Sequence, residues 1–173
     1  LVAIKVMLRS LGANEEAVEQ FKHEAQAAAR LNHPNIAQIY SIGQVQGQPY
    51  IVMELVGGQG MEQIIASGED AGQGRIMRIG LDIAEALRAA DEADLIHGDI
   101  KPENILTDEK GRAKLVDFGL ASFADQAAAE GIWGTPYYIA PEKVQRKKPD
   151  ARSDIYSLGA TLYHALAKNP PFE

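Results

Sequence analysis

His97-Gly98-Asp99-Ile100-Lys101-Pro102-Glu103-Asn104, followed further on by Asp117-Phe118-Gly119, is the stretch on which the reading of this chain turns. Upstream of it Ile76, Ile79, Ile83, Leu87 and Ala90 recur at helical spacing and predict a long amphipathic helix that runs into the motif. Between the two motifs lie two short apolar pieces, Ile105-Leu106 and Lys114-Leu115-Val116, which suit a small β-ribbon beside the loop. Downstream, Ile155, Leu158, Leu162 and Leu166 form a second helical stripe. Everything after residue 60 therefore reads as mainly helical, with one loop and one ribbon set among the helices.

The N-terminal part has a different period. Leu1 to Met7 is β-branched and apolar and predicts a strand. Asn14 is placed to cap a helix whose first turn carries Glu15 and Glu16, favourable at the positive end of the helix dipole. Ala17, Phe21, Glu24, Ala28 and Leu31 share one face of that helix, which must stop before His33 because Pro34 disfavours helical backbone there. Ile36 to Ile42 and Tyr50 to Met53 predict two strands of a hairpin joined through residues 43–49. Val56-Gly57-Gly58-Gln59-Gly60 then breaks the pattern and predicts a hinge. A small strand-rich lobe followed by a helical one is an α+β arrangement.

Composition narrows the function classes. The chain has 173 residues, of which 46% are hydrophobic and 24% charged, a globular and not a disordered balance. With no cysteine it has no disulfide scaffold, no thiolate zinc site and no catalytic thiol. The formal net charge of −7 argues against a binder of nucleic-acid backbones. No apolar run is long enough to span a bilayer, and no signal-peptide pattern opens the chain. Leu1 lies inside an apolar stretch, and Pro170-Pro171-Phe172-Glu173 follows a helical pattern directly, so both ends read as cuts within a longer protein. The glycines at 43–47 and 57–60 match no phosphate-binding fingerprint and read as turn and hinge.

Several separated elements acquire meaning together. They are Val2-Ala3-Ile4-Lys5 on the first strand and Glu24 on the next helix. The loop motif 97–104 and Asp117-Phe118-Gly119 follow, then Gly134-Thr135-Pro136 and Ala140-Pro141-Glu142. In order and approximate spacing this set resembles the signature of the eukaryotic-type serine/threonine protein kinases, across nearly the whole chain. The resemblance implies a two-lobed kinase-like fold truncated at both ends, the small lobe lacking its first two strands and the large lobe its last helices. Residues 1–54 would be the small-lobe remainder, 55–60 the hinge and 61–173 part of the large lobe.

By the same resemblance the cofactors are ATP and Mg2+, and the partner is a protein with a Ser or Thr acceptor. Lys5 would face the phosphates, with Glu24 holding its ammonium. Asn104 and Asp117, hard oxygen donors, would be the metal ligands. Asp99 would accept the proton of the substrate hydroxyl, Lys101 would sit by the transferring phosphate, and Thr135 would bridge Asp99 and Lys101. Ala3 and Leu106 would sandwich adenine, against the segment Met53-Glu54-Leu55-Val56, with Met53 at the back of the pocket. Ala28, Ile39, His97 and Phe118 would stack into an internal spine, and Asp154 would hydrogen-bond the loop backbone. His23, His33 and His164 have no ligand-like spacing.

One departure concerns regulation. Gly98 stands where most members carry an Arg that pairs with an activation-segment phosphate. Between Phe118 and Gly134 the only hydroxyl is Ser122. Together these imply a kinase not switched on by phosphorylation within that segment. Two rival readings stand beside the first. A small-molecule phosphotransferase of related fold shares His97-Gly98-Asp99 with Asn104, but Lys101 and residues 135–142 oppose it. A pseudokinase scaffold is opposed by Lys5, Asp99, Asn104 and Asp117. The alanine-rich style resembles a bacterial member. A cytoplasmic location is expected, as a free domain or as the cytoplasmic part of a larger membrane protein.

Overall fold

The structure is a computed structural model that describes residues 1–7, 15–68, 71–118 and 136–172. Its N-terminal elements are strand β1 (Val2–Val6), helix α1 (Glu15–Ala28), and strands β2 (Ile39–Val45) and β3 (Gln48–Glu54). The strands form one antiparallel sheet in the order β1-β3-β2, with Ala3 opposite Met53 and Lys5 opposite Ile51. Glu15 and Glu16 occupy the first turn of α1. Asn14, expected as its cap, lies outside the described residues. The helix lays Ala17, Val18, Phe21 and Ala25 against Met7, Ile51 and Met53, which forms a small core of its own.

The hairpin departs from expectation. Its loop is only Gln46-Gly47, and both residues have positive φ (49° and 81°), which matches the twist of the flanking strands. Residues 43–45 and 48–49, expected in the loop, belong to the strands. Proline in the central strand has a local remedy. Met7 N–H donates to the Pro49 carbonyl (3.0 Å), but Pro49 has no N–H to return, and Gln48 Nε2 donates to the Met7 carbonyl instead (2.7 Å).

Residues 36–38, expected to open the next strand, also fall elsewhere. Ile36 forms a parallel bridge with Leu115 and does not open β2. Leu115 N–H donates to Asn35 O (2.8 Å), Ala37 N–H donates to Leu115 O (2.9 Å), and Asn35 Nδ2 donates to Ala113 O (2.8 Å). Ala28, Leu31 and Ile36 accordingly pack into the core of the second lobe. The chain after α1 is thus pinned to that lobe before it enters the small sheet.

The second lobe contains α2 (Met61–Ala66), α3 (Gln73–Asp91), the ribbon β4 (Ile105–Thr107) and β5 (Ala113–Leu115), α4 (Pro141–Val144) and α5 (Ala151–Ala167). The predicted stripe of α3 is its buried face: Ile76, Ile79, Ile83, Leu87 and Ala90 are all in the core. Each such isoleucine contributes about 1.5–3 kcal/mol relative to exposure. The α5 stripe is corrected in part: Leu158 is buried and Leu162 packs against the core, as expected. Ile155 and Leu166 are exposed, and the buried face is Ser153, Asp154, Ser157, Leu158, Ala160, Thr161 and Ala165. Two of its hydroxyls are satisfied within the helix, Ser157 on Ser153 O (3.0 Å) and Thr161 on Ser157 O (2.9 Å), and Ser153 Oγ donates to Glu142, so a face of small polar residues can lie in the interior.

In the predicted hinge, Gly58 is required by close approach: a Cβ there would come within 2.1 Å of the Thr107 carbonyl oxygen. The following Gln59 carbonyl takes both Thr107 N–H (2.9 Å) and Thr107 Oγ1 (2.7 Å), which fastens the connection to the ribbon. Among the described residues no helix is long and apolar enough to cross a membrane.

Candidate active site

The loop 97–104 is built around a buried histidine and a buried aspartate. His97 is fully enclosed, and its Nε2 lies 2.9 Å from Val116 O while Asp99 N–H donates to its Nδ1 (3.2 Å). A backbone N–H can only donate and a carbonyl only accept, so the ring is neutral with its proton on Nε2. Burial pushes the His97 pKa down, in agreement with a neutral ring. From the first turn of α5, Asp154 accepts His97 N–H at Oδ2 and Gly98 N–H at Oδ1, both at 2.8 Å. Burial pushes the Asp154 carboxyl up from the usual range, against the pull of His97, the two backbone N–H groups and Lys143.

That scaffold presents Asp99. The short turn Pro102–Asn104 begins on proline, whose missing N–H costs nothing in a first helical position, and it leads directly into β4. Asn104 is buried and donates Nδ2 to both Asp99 O (2.7 Å) and Asp99 Oδ2 (3.2 Å). Lys101 Nζ lies 2.7 Å from the same Oδ2. Asp99, Lys101 and Asn104 thus converge within one turn of chain.

Asp117 follows β5 with φ 61°, a left-handed conformation that aspartate tolerates better than most residues. Its Oδ2 lies 2.8 Å from Lys5 Nζ, which bridges the two lobes. The Lys5 ammonium is paired with Asp117 and not with Glu24, whose Oε1 accepts from Gln20 Nε2 one turn earlier on α1 (2.6 Å). Glu24 also lines a cavity together with Ala28, Leu95 and Phe118. Lys5 and Asp117 are about one-third exposed (38% and 28%), so water screens their attraction.

The expected spine is contiguous. Phe118 meets the His97 ring edge-on at 4.8 Å, and Ala28, Ile39 and Phe118 line one pocket together with Met53 and Asp117. Met53 is buried at that wall. Ala3 pairs with Met53 across the sheet, Val56 is half-buried in the connection, and Leu106 sits half-buried on β4 bridged to Gly60. Thr135, Gly119, Gly134 and Ser122 lie outside the described residues.

Beyond 135, the turn Pro136–Tyr138 docks on α5 through Tyr138, whose hydroxyl lies 2.6 Å from His164 Nδ1 with the rings stacked. Burial pushes the Tyr138 hydroxyl up to about 12 and lowers His164. Ala140-Pro141-Glu142 opens α4, and Glu142 is hydrogen-bonded to Ser153 Oγ.

Two lysines escaped the sequence reading. Lys114 Nζ sits 3.0 Å from both carboxylate oxygens of Glu54, across from the last residue of β3, and Gln38 N–H donates to the same carboxylate (3.2 Å). Lys143 Nζ donates to Gly98 O (2.8 Å). A lysine in the middle of a three-residue buried strand was a signal for the first; nothing in sequence pointed to the second.

A two-lobed α+β chain whose lobes meet at a lysine–aspartate pair, beside a loop that presents an aspartate, an asparagine and a second lysine, defines the class. Residues 1–173 match the model of the protein kinase domain, and the chain belongs to that family. The serine/threonine-protein kinase pkn3 of Myxococcus xanthus is 37% identical over 185 residues, covering 100% of this chain and 34% of that protein. PknB of Mycolicibacterium smegmatis, also named a serine/threonine-protein kinase, is 38% identical over 182 residues, covering 99% of this chain and 29% of that one. The crystal structure of the Mycobacterium tuberculosis PknI kinase domain superposes with TM-score 0.80 at 32% identity, covering 99% of this chain and 66% of that domain. The chain therefore spans about a third or less of the length of these curated relatives. The resemblance read from the motifs and the expected fold are borne out.

Proposed function

We propose that this chain is the core of an ATP- and Mg2+-dependent serine/threonine protein kinase, acting on hydroxyls of protein substrates. The observation that carries the reading is the convergence of Asp99, Lys101 and Asn104 in one loop opposite the Lys5–Asp117 pair. Phosphoryl transfer asks for positioning and charge neutralisation, and this set supplies both.

The donor set fits magnesium. Asn104 spends its Nδ2 on Asp99, which turns Oδ1 to the other side, and the Asp117 carboxylate offers a second hard oxygen. When bound, the metal would neutralise phosphate charge. Lys5 would exchange its contact with Asp117 for the nucleotide phosphates as a mobile point charge. Asp99, oriented by Asn104, would accept the proton of the attacking hydroxyl, while Lys101 would balance charge beside it. Ala3, Leu106, Met53, Glu54 and Val56 would form the walls and rim of the adenine site. Glu24, on the adjoining helix, is the group that would hold Lys5 once it leaves Asp117. A cytoplasmic location, where ATP is supplied, goes with this reading.

The test uses the natural-length protein that contains this chain. Mg-ATP should raise its melting temperature and support transfer to Ser or Thr of a protein acceptor. Asp99→Asn should abolish transfer and keep the thermal shift, whereas Asp117→Asn should lose both. A shift with no transfer would favour a scaffold, and transfer to an aminoglycoside in place of protein would favour a small-molecule phosphotransferase.

A further inference from the structure

Gly98 immediately precedes Asp99 and has φ 76°, where a residue with a Cβ is strained by about 1–2 kcal/mol. Glycine enters that region freely, but it also leaves it freely. Having no side chain, Gly98 can be held only through its backbone groups, and both are held from outside the loop. Its N–H is bound by Asp154 Oδ1 on α5 (2.8 Å), and its carbonyl by Lys143 Nζ on α4 (2.8 Å).

The base of Lys143 is itself fixed. Its neighbour Glu142 is hydrogen-bonded to Ser153 Oγ, next to Asp154, and the Lys143 N–H donates to Ala140 O (3.0 Å). Proline at the start of α4 sets the helix entry. The two clamps on Gly98 thus come from adjoining elements tied to each other, and they carry opposite charges. A charged donor on a carbonyl makes a stronger hydrogen bond than a neutral one, and its loss frees the peptide that joins Gly98 to Asp99.

We propose that Lys143 is a positioning residue for Asp99: by holding the Gly98 carbonyl it fixes the peptide plane from which the Asp99 side chain is presented. Lys143 touches neither substrate nor nucleotide in this role; it acts through the backbone of the loop. The inference deepens the kinase reading of the same site and rests on it for its kinetic consequence, while its structural consequence stands independently.

The experiment compares wild type with Lys143→Met, Lys143→Gln and Lys143→Arg in the natural-length protein, by hydrogen exchange of peptides covering 95–105 and by steady-state kinetics with ATP. Lys143→Met should speed exchange at Gly98 and Asp99 by about tenfold, the equivalent of one charge-assisted hydrogen bond. It should lower kcat by a similar factor and leave KM for ATP within about twofold, because Lys5, Asn104 and Asp117 are untouched. Lys143→Arg should restore both readouts, and Lys143→Gln, which keeps a donor without the charge, should fall between. Unchanged exchange in Lys143→Met would overturn the proposal. So would acceleration spread evenly over α5, which would mark a general loss of stability. If wild type transfers no phosphoryl group at all, the kinase reading fails, and the exchange comparison still decides whether Lys143 holds the loop.

Discussion

Replacing Asp154 by Asn removes one oxygen and no volume, and so isolates what the carboxylate does. In the wild type both oxygens are committed, Oδ2 to His97 N–H and Oδ1 to Gly98 N–H, each at 2.8 Å in the interior. An amide keeps one acceptor. Its NH2 group must face the other backbone N–H, so one charge-assisted bond is lost and one buried donor is left without an acceptor. The lost bond costs about 1.5–3 kcal/mol and the orphaned donor about 1–3 kcal/mol. Relief from burying a charge offsets part of this, since burial already pushes the Asp154 carboxyl up. A net loss of about 2–4 kcal/mol is expected, a large share of the 5–15 kcal/mol typical of a folded domain. Urea unfolding of both proteins, with hydrogen exchange of the 95–105 segment, measures it. Exchange should accelerate at His97 and Gly98 more than in α3. A stability change below about 1 kcal/mol, or equal acceleration in α3 and the loop, would refute the reasoning.

Two further outcomes are expected. His97 is buried with its pKa lowered, so below pH about 6.5 the unfolded chain takes up a proton that the folded chain refuses. Its contribution is complete above that pH and is lost as pH falls toward the lowered folded value. Unfolding measured at pH 7.5 and 5.5 should show this loss, and His97→Phe should be less stable at both but with a smaller difference; an unchanged difference would contradict the assignment. For the Lys114–Glu54 pair, only 13% and 25% exposed, a cycle of Lys114→Met, Glu54→Gln and the double variant should show a coupling of about 0.5–2 kcal/mol in unfolding experiments. Additive effects would mean that the pair contributes nothing to holding the lobes together.

Much of this protein was legible in the chain because local rules were strong. The five apolar residues of α3 lie at helical spacing and all went inward, since a stripe that wide has one way to be buried. Asp99, Lys101 and Asn104 are close in sequence, and a proline-led turn keeps them close in space. The hairpin was misread at its loop because Gln48-Pro49 reads as turn chemistry, whereas the proline's missing N–H is replaced by a neighbouring side chain. The α5 stripe was misread in part because its interior face also carries small and hydroxyl-bearing residues, two of which, Ser157 and Thr161, bond within the helix.

The sequence by itself determined the order of elements, the two lobes, and the identities of the residues at the candidate site, because those depend on spacing and on side-chain chemistry. Only the tertiary structure decided which charges meet. Lys5 reaches Asp117 from a separate strand, Lys114 reaches Glu54 across the lobes, and Lys143 reaches the Gly98 carbonyl from a helix far along the chain. Such pairings depend on distances set by packed elements, and the range of a charge gives the linear sequence no way to single out a partner.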